Sequence, residues 1–345
     1  MALFGRGKRS VGLDIGSGFI KMVEVDHSGD QPEVVRVAMR PLLPDAIVEG
    51  EIMDPGLVAD TVRGLVQEVG LKKKDVVTAV GGHDVIIKKI EMDRMKEAEA
   101  RQVIRWEAEQ HVPFDIKSVE LDFQVLDPDA AGVQMQVLLV AAKRELVENK
   151  VSLIMDAGLE PRVIDVDAFA LHNAFELNYP EGMNGIVALV NMGHEMTNVN
   201  ILEDGVPILT RDIPFGSRKL REDLQRERGL TAELAEDVVQ GRGELQGLDQ
   251  FVQTSADEVA VGIERAAAFL MTQQADAGLG RIYLSGGGSR IPGMPQALGS
   301  RMGVETQVVN PFERVPVASD APLNLILDEA GPMLLLPLGL ALRKP

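Results

Sequence analysis

The sequence predicts an α/β protein in which one domain plan occurs twice, and three observations carry this prediction. A strand–turn–strand pattern with glycines in its turn opens the chain at residues 11–25. The same pattern returns at residues 185–201, where Asn191 takes the place of Asp14. A chain of 345 residues is also too long for one ordinary hydrophobic core. We therefore expect two α/β lobes related by an internal duplication.

Composition and charge limit the classes of function. A hydrophobic content of 45% with 26% charged residues is typical of a globular protein. The formal charge of −18 argues against nucleic-acid binding, which depends on clustered Lys and Arg. Without cysteine the chain has neither disulfides nor thiolate metal ligands, which fits a reducing compartment. The longest apolar run, residues 333–342, is too short to cross a bilayer, so we predict a cytosolic protein without a transmembrane segment.

The first turn, in "VGLDIGSGFIK" at residues 11–21, is a candidate phosphate-binding loop. Apolar residues before the turn and from Phe19 to Val25 predict a β-hairpin with glycines at its tip. Glycine lets backbone N–H groups converge on a phosphate with no Cβ in the way. Asp14 would hold Mg²⁺ through water, whereas Lys21 would either reach a terminal phosphate or remain a solvated charge. The candidate ligands of this turn are Asp14, Gly16, Ser17, Gly18 and Lys21.

The stretch between the two copies alternates strands and helices. A helix is predicted at residues 55–70, where the apolar residues form one stripe and Gly70 ends the pattern. A ββαββα succession follows, which is compact enough to be an inserted subdomain. One more strand and helix are predicted within residues 161–177. The six segments of the ββαββα succession are 76–82, 84–92, 97–111, 119–127, 133–143 and 145–159.

Two further glycine-containing turns lie in the second half of the chain. The returning pattern, "GIVALVNMGHEMTNVNI", places Asn191, Gly193 and Thr197 at its turn. A charged helical segment follows at residues 217–274, and "LSGGGSRIPG" at 284–293 then sets three glycines between a strand and a helix. A tight turn needs one glycine rather than three, and backbone N–H groups at a helix N-terminus can receive a nucleotide. The candidate ligands of this third turn are Gly286, Gly287 and Gly288.

The three turns, in this order, resemble the two phosphate loops and the adenosine loop of the actin, Hsp70 and sugar-kinase ATPases. These loops correspond to residues 14–21, 191–197 and 284–293. The ββαββα insertion resembles that of the cell-division protein FtsA and of the PilM family of type IV pilus assembly proteins. Segments similar to the PilM family cover nearly the whole chain. They include "VGLDIGSGFIKMVEV", "AVGGHDVIIKKIEM", "LLVAAKRELVENKVSLIMDAGLEPRVIDVDAFAL" and "LSGGGSRIPGM".

This resemblance implies an actin-like ATPase fold, with two duplicated RNase H-like lobes and the ββαββα subdomain inserted in the first. It implies ATP and Mg²⁺ as ligands, with Asp14 as the metal-binding residue and Glu236 on a helix that touches the adenosine. Four parts of the chain are implied. They are a first-lobe core at 1–82, 161–184 and 330–345, an inserted subdomain at 83–160, a second-lobe core at 185–215 and 275–329, and a helical subdomain at 216–274.

The resemblance also implies a role for the chain. Proteins of the PilM family hold the N-terminal cytoplasmic tail of PilN, a membrane-anchored pilus protein, and couple the cytoplasmic motor and platform proteins to the periplasmic alignment complex. We therefore expect an ATP-binding scaffold of pilus biogenesis and twitching motility, peripheral at the cytoplasmic face of the inner membrane and capable of self-association. A small-molecule kinase or ATPase of the same superfamily and an FtsA-like cell-division protein are the alternatives.

Three positions depart from the pattern of the superfamily. Asn191 replaces the aspartate that usually starts the second phosphate loop, so it brings no charge to Mg²⁺ and cannot act as a base. Glu195 either puts a negative charge near a triphosphate or points to solvent. Val239 stands where a lysine is expected, three residues after Glu236. These departures favour a nucleotide-binding scaffold that is at most a weak ATPase, and they leave open an adaptor without nucleotide.

Overall fold

The computed structural model describes residues 9–128, 131–271 and 278–343. The predicted boundary between residues 274 and 275 lies outside these ranges, as do the outermost residues assigned to the first lobe, 1–8 and 344–345. Contacts divide the chain into a larger unit, Met1–Ala79 with Ile154–Pro345, and a smaller unit, Val80–Leu153. The finer division into four parts stays a prediction.

Strands and helices alternate along the chain. The strands are β1 (Arg9–Ile15), β2 (Phe19–Asp26), β3 (Glu33–Pro41), β4 (Ile47–Val48), β5 (Glu51–Ile52), β6 (Asp75–Val80), β7 (Val85–Asp93), β8 (Val119–Val125), β9 (Gln134–Lys143), β10 (Glu160–Val166), β11 (Ile186–Met192), β12 (Thr197–Glu203), β13 (Val206–Ile213), β14 (Arg281–Ser285) and β15 (Glu305–Val308). The helices are α1 (Pro55–Glu68), α2 (Glu97–Ala108), α3 (Arg144–Asp156), α4 (Asp167–Asn178), α5 (Ser217–Arg228), α6 (Ala232–Val239), α7 (Leu248–Met271), α8 (Met294–Met302), α9 (Leu327–Ala330) and α10 (Leu335–Leu342).

The larger unit contains two five-stranded sheets with the same plan. The first has the order β10-β6-β1-β2-β3, in which β1, β2 and β3 are antiparallel neighbours and β6 runs parallel to β1. The second has the order β13-β12-β11-β14-β15, in which β11, β12 and β13 are antiparallel and β14 runs parallel to β11. The predicted duplication of one α/β plan is therefore confirmed. We call the part of the larger unit around the first sheet the first lobe and the part around the second sheet the second lobe.

One hydrophobic core joins the two lobes. It contains buried side chains of the first sheet, such as Val23 and Val77, and of the second sheet, such as Leu189 and Tyr283. The helices α4 and α10 contribute to the same core, and α10 packs on β1 and on α4. The apolar C-terminal stretch is thus the buried helix that its sequence predicts.

Two glycines allow α10 to lie this close to its neighbours. A Cβ on Gly12 of β1 would overlap the backbone of Pro337 and Ala341 in α10. A Cβ on Gly339 would overlap the carbonyl oxygen of Ala170 in α4. Both contacts are between backbones, which cannot move aside as a flexible side chain can. The first lobe is therefore closed by a helix that tolerates no side chain at these two points.

A second core lies on the other face of the second sheet. Buried residues of β11, β12 and β14 pack there against the helices α5, α6, α7 and α8. The helical segment predicted at 217–274 is present as α5, α6 and α7 up to Met271, and its residues 272–274 lie outside the described ranges. α5 ends at Gly229, whose φ of 66° is the left-handed conformation common at helix C-termini.

The smaller unit is built on a three-stranded antiparallel sheet of order β7-β9-β8. Its core is formed by α2 and one face of this sheet, with Ile104, Phe123 and Leu139 among the buried residues. The six elements of the ββαββα succession occur in the predicted order. The first of them, β6, pairs with β1 in the first sheet. Its residues 76–80 are all buried, and a parallel strand that is buried on both faces suits this position.

Within the described residues, no helix is long and apolar enough to span a membrane.

Candidate functional site

The first turn places Asp14 and Lys21 opposite each other on the hairpin formed by β1 and β2. The Lys21 ammonium forms an ion pair with the Asp14 carboxylate, and the two side chains are only 16% and 11% exposed. The N–H of Gly16 donates to the Phe19 carbonyl oxygen at 3.2 Å and so closes the turn. Lys21 is therefore a half-buried partner of Asp14 rather than a solvated charge.

The tip of the first turn offers unused donors. Among the described residues, the N–H groups of Ser17 and Gly18 have no hydrogen-bond acceptor. The tip also faces the second turn, because a Cβ on Gly18 would come within 2.9 Å of the Cβ and Cγ atoms of His194. The structure thus brings the first two predicted turns together, and the first of them carries two N–H groups without an acceptor among the described residues.

The second turn is held by side-chain hydrogen bonds. Asn191 accepts a hydrogen bond from the Ser285 hydroxyl at 3.2 Å and donates one to Asn198 Oδ1 at 3.2 Å. The Gly193 N–H donates to the Met196 carbonyl oxygen at 2.9 Å. Thr197 is fully buried, and its hydroxyl donates to the carbonyl oxygen of Phe215 at 2.7 Å. The Thr197 side chain therefore stabilises the second turn through its hydrogen bond to Phe215 in this structure.

The third turn lies against the second. Gly286 has a φ of 81°, and its N–H donates to the Pro332 carbonyl oxygen at 2.7 Å. Cβ atoms on Gly286 and Gly288 would overlap Met192 at the end of β11. Gly287 is the member of this turn that is partly exposed. Close packing on β11 thus explains two of the three glycines, and ligand contact at Gly287 stays a prediction.

Glu236 lies on α6 and is tied to the neighbouring helix. The Arg221 guanidinium on α5 donates to a carboxylate oxygen of Glu236 at 3.1 Å, and the Gln240 amide donates to the other oxygen.

Burial lowers the pKa of His194, and the nearby Arg221 lowers it further, although Glu195 and Glu236 act in the opposite direction. A neutral imidazole therefore faces Gly18 at neutral pH.

The side chain of Glu195 does not point to solvent, and its position near a triphosphate stays a prediction. Its side chain is 10% exposed and forms an ion pair with Arg218 at 2.8 Å, and it also accepts the backbone N–H of Glu49 at 2.9 Å. Arg218 in turn reaches Asp45 at 2.9 Å. We call Asp45, Glu49, Glu195 and Arg218 the inter-lobe clasp, because the first two belong to the segment between β3 and α1 and the other two to the second lobe. The clasp neutralises the charge of Glu195.

Two arginines near the turns were not identified from the sequence. Arg218 is one, and only its contacts across the lobes show its role. Arg290 is the other; it follows the third turn, and its guanidinium lies 3.9 Å from the sulfur of Met333 and 3.9 Å from Glu329. Burial lowers the pKa of Arg290. Its position in "GGGSRIPG" could have identified Arg290 as a candidate ligand, because an arginine beside a phosphate loop can pair with an anion.

The residues of the turns fit a nucleotide phosphate better than a protein-held metal. Free N–H groups at Ser17 and Gly18 are donors for phosphate oxygens. No group of three or more His, Asp or Glu within the described ranges is arranged to hold a metal ion. Asp14 could serve Mg²⁺ only as a single carboxylate beside phosphates and water, since Asn191 is neutral and engaged.

Comparison with known proteins shows the family. The family model described as "Type IV pilus assembly protein PilM" matches residues 12–345. The chain belongs to the PilM family. It is also similar to a solved chain of a PilM–PilN type IV pilus biogenesis complex, with 31% sequence identity and a TM-score of 0.84 over 98% of this chain and 99% of that one. The process served by the PilM family is type IV pilus assembly, and the expected actin-like fold is confirmed.

More distant relatives share this fold. MreB5 of Spiroplasma citri, solved with bound ADP, matches 97% of this chain and 95% of its own with a TM-score of 0.51. At 12% identity this likeness shows the fold alone. The cell-division protein FtsA of Bacillus subtilis is 24% identical over 294 residues, or 77% of this chain. The chain spans 65% of the length of FtsA.

Proposed function

We propose that this member of the PilM family is an ATP-binding scaffold of type IV pilus assembly that holds the N-terminal cytoplasmic tail of PilN. The observation that carries the nucleotide part is the contact between the first and second turns, together with the free N–H groups of Ser17 and Gly18 in the first. The 31% identity to the PilM of a PilM–PilN complex supports the partner. PilN would place the protein at the cytoplasmic face of the inner membrane.

The same contacts define what each residue does. The N–H groups of Ser17, Gly18 and Gly287 donate to phosphate oxygens, and Lys21 exchanges the Asp14 carboxylate for a phosphate. Asp14 would then be the residue that holds Mg²⁺ through water, and the ion would neutralise charge on the triphosphate. Glu236 remains on the adenosine side, where Arg221 holds its carboxylate.

Two positions of the second turn, Asn191 and Glu195, do not supply a base for hydrolysis. A base that activates water needs an ionisable group within hydrogen-bond reach of it. Asn191 cannot ionise, and the Glu195 carboxylate is bound by Arg218 and by the Glu49 N–H. We therefore assign ATP the role of a ligand that holds the two lobes together, so that the protein is at most a weak ATPase. Links to motor and platform proteins, self-association and a role in twitching motility belong to the same proposal.

Calorimetry with ATP and Mg²⁺ tests the nucleotide site. We expect micromolar binding by the wild-type protein and at least about tenfold weaker binding by the Asp14→Ala and Lys21→Ala variants, because each removes a charged contact. The control is Asp26→Ala, which removes the partner of Arg9 at the other end of the same hairpin. Absence of binding at millimolar ATP, or rapid phosphate release, would overturn this part of the proposal.

A second assay tests the partner. A labelled peptide with the sequence of the PilN cytoplasmic tail should bind the purified protein, and ATP should change its affinity. Binding that is independent of ATP would separate the scaffold role from the nucleotide. A peptide that fails to bind in both conditions would refute the proposed docking of PilN.

A further inference from the structure

The proposed function gives no role to the side chain of His194 in the second turn. Its imidazole lies against the tip of the first turn, since a Cβ on Gly18 would come within 2.9 Å of the His194 Cβ and Cγ atoms and 3.3 Å of its Nδ1 atom. The ring is half-buried, and neither of its nitrogen atoms has a hydrogen-bond partner among the residues that the structure describes. A group that can donate and accept hydrogen bonds therefore lies without a partner where the first two turns meet.

The backbone of His194 is held by the start of α5. The N–H groups of Ser217 and Arg218 donate to the carbonyl oxygens of Gly193 and His194, at 3.0 and 2.8 Å. A Cβ on Gly216 would overlap the His194 carbonyl oxygen, so the second turn packs directly on the residue before α5. Because these contacts position the backbone, the imidazole lies at the first turn without a hydrogen bond of its own. Both ring nitrogens therefore remain available to a ligand.

The cationic side chains around the first two turns are already paired with carboxylates. The pairs are Lys21 with Asp14, Arg218 with Glu195 and Arg221 with Glu236. Each of these cations can contact a phosphate only by sharing or leaving its carboxylate. His194 differs from them, because it gains a positive charge by taking up a proton and gives up no partner.

The surroundings of His194 favour a neutral imidazole when no anion is bound. Burial lowers its pKa, and Arg221 lowers it further, whereas Glu195 and Glu236 act in the opposite direction. The charged groups of the elements around the ring are Glu195 in its own turn, Arg218 and Arg221 in α5, Glu236 in α6, Asp14 and Lys21 in the hairpin, and Asp45 in the segment between β3 and α1. A phosphate at the ring adds negative charge, which favours the imidazolium form and raises the pKa. Between the pKa values of the free and the bound protein, binding is therefore accompanied by proton uptake.

We propose that His194 is a phosphate ligand of the nucleotide site and that its imidazole takes up a proton from solvent as ATP binds. This inference rests on the nucleotide site of the proposed function and adds to it a dependence on pH. The imidazolium donates an N–H to a phosphate oxygen from the second turn, and the N–H groups of Ser17 and Gly18 donate from the first. ATP therefore binds more tightly as the pH falls below neutrality. A protonated imidazole cannot accept a proton from water, which agrees with weak hydrolysis.

Calorimetry in buffers of different ionisation enthalpy counts the protons that accompany ATP binding. At pH 6.5 with Mg²⁺ present, we expect the wild-type protein to take up about half a proton more than His194→Gln, because glutamine does not titrate. His194→Gln should bind ATP at least about tenfold more weakly than the wild-type protein at pH 6.0, and this ratio should shrink about threefold or more at pH 7.5. His83→Gln is the matched control, because the His83 side chain is 77% exposed in the smaller unit, and it should behave as the wild-type protein does.

Three calorimetric results would overturn the proposal, and they have different meanings. Equal proton uptake and equal affinity in the wild-type protein and His194→Gln would show that the imidazole does not contact the phosphates. Tighter binding of ATP by His194→Gly would show that the imidazole obstructs the site. Absence of ATP binding by the wild-type protein at every pH would refute the nucleotide site itself, and the role of His194 with it.

NMR of the imidazole rings tests the same step in the wild-type protein, so the result does not depend on how well a variant folds. The chain has five histidines, and the signal of His194 is the one missing from the spectrum of His194→Gln. The four remaining signals report whether this variant is folded. The His194 signal should titrate at higher pH with saturating ATP than without it, whereas adenosine, which has no phosphate, should leave its titration unchanged. The same titration with and without ATP would refute His194 as a phosphate ligand.

Discussion

Gly339 is the residue at which α10 touches α4 through the backbone. Because a Cβ there would overlap the Ala170 carbonyl oxygen, Gly339→Ala must push the two helices apart. We expect a loss of about 2–4 kcal/mol in the free energy of unfolding, as for other overpacked cores. Urea unfolding measures this. Gly278→Ala is the control, since a Cβ on Gly278 meets open space and should change stability by no more than about 0.5 kcal/mol.

His172 makes the stability of the first lobe depend on pH. Its imidazole contacts the Gly205 carbonyl oxygen at 2.9 Å, and burial lowers its pKa from 6.5, with Glu176 and the Gly205 contact opposing the shift. The folded state therefore resists protonation, while the unfolded chain takes up a proton below about pH 6.5. This part of the stability is complete above pH 6.5 and is lost as the pH falls below it.

The measurement is the free energy of unfolding at pH values between 7.5 and 5.5. We expect His172→Gln to reduce the slope of stability against pH over this range, because glutamine does not titrate. A slope equal to that of the wild-type protein would show that His172 does not contribute to it.

Sequence analysis identified the residues of the three turns better than their roles. Asp14 and Lys21 could be placed in advance, since a hairpin sets them opposite each other. The packing of Gly286 and Gly288 could not, because it depends on Met192, almost a hundred residues earlier. The role of Thr197 could not be predicted either, because only the folded chain brings the Phe215 carbonyl oxygen to its hydroxyl. Which turn residues contact a ligand stays a prediction.

At the scale of elements, the inter-lobe clasp links a loop of the first lobe to α5. Arg218 is 26% exposed and contacts both Asp45 and Glu195. We expect Arg218→Ala to increase hydrogen exchange in residues 45–52 and 193–197 by at least about tenfold, because one charge-assisted contact is worth about 1.5–3 kcal/mol. Hydrogen exchange followed by mass spectrometry measures this change.

A nearby arginine supplies the control for the clasp. Arg226 lies on the same helix and, among the residues that the structure describes, pairs with its neighbours Asp223 and Glu227. Arg226→Ala should leave exchange at 45–52 unchanged. If both variants raised exchange there equally, destabilisation of α5 rather than loss of the clasp would be the cause.

Some edge strands were harder to predict than the inner strands, although the edge strands β7, β8 and β10 were predicted. The hairpins and the buried strand β14 stood out because alternation or a continuous apolar run marks a strand with one or two buried faces. The strands β3, β13 and β15 were not identified, and each is an edge strand of its sheet. In β13, Pro207 and the exposed Arg211 interrupt the apolar pattern, since an edge strand is only partly covered by the core.

At the scale of the whole molecule, the shared core should make both lobes of the larger unit unfold together. Phe175 is fully buried there and lies 4.5 Å from the Tyr283 ring, centroid to centroid. We expect Phe175→Ala to lower the free energy of unfolding by about 3–5 kcal/mol. Amides of β1 and β11 should lose hydrogen-exchange protection by the same amount.

Trp106→Ala is the control for this experiment, because Trp106 is 77% exposed and should contribute less than about 0.5 kcal/mol. Loss of protection in only one of the two sheets would contradict cooperative unfolding.

The duplication of the α/β plan was predictable from the sequence, since both copies repeat one pattern. The core between the copies was not, because its side chains come from segments that no local pattern connects.

The packing of α10 also affects synthesis of the protein on the ribosome. Ser10 in β1 bonds to the carbonyl oxygen of Ala341, 331 positions later. At 5–20 residues per second, about 15–65 s pass between the synthesis of these two residues. During this time the face of β1 that α10 will cover stays exposed on the nascent chain. We therefore expect the first lobe to be completed only after α10 has been synthesised.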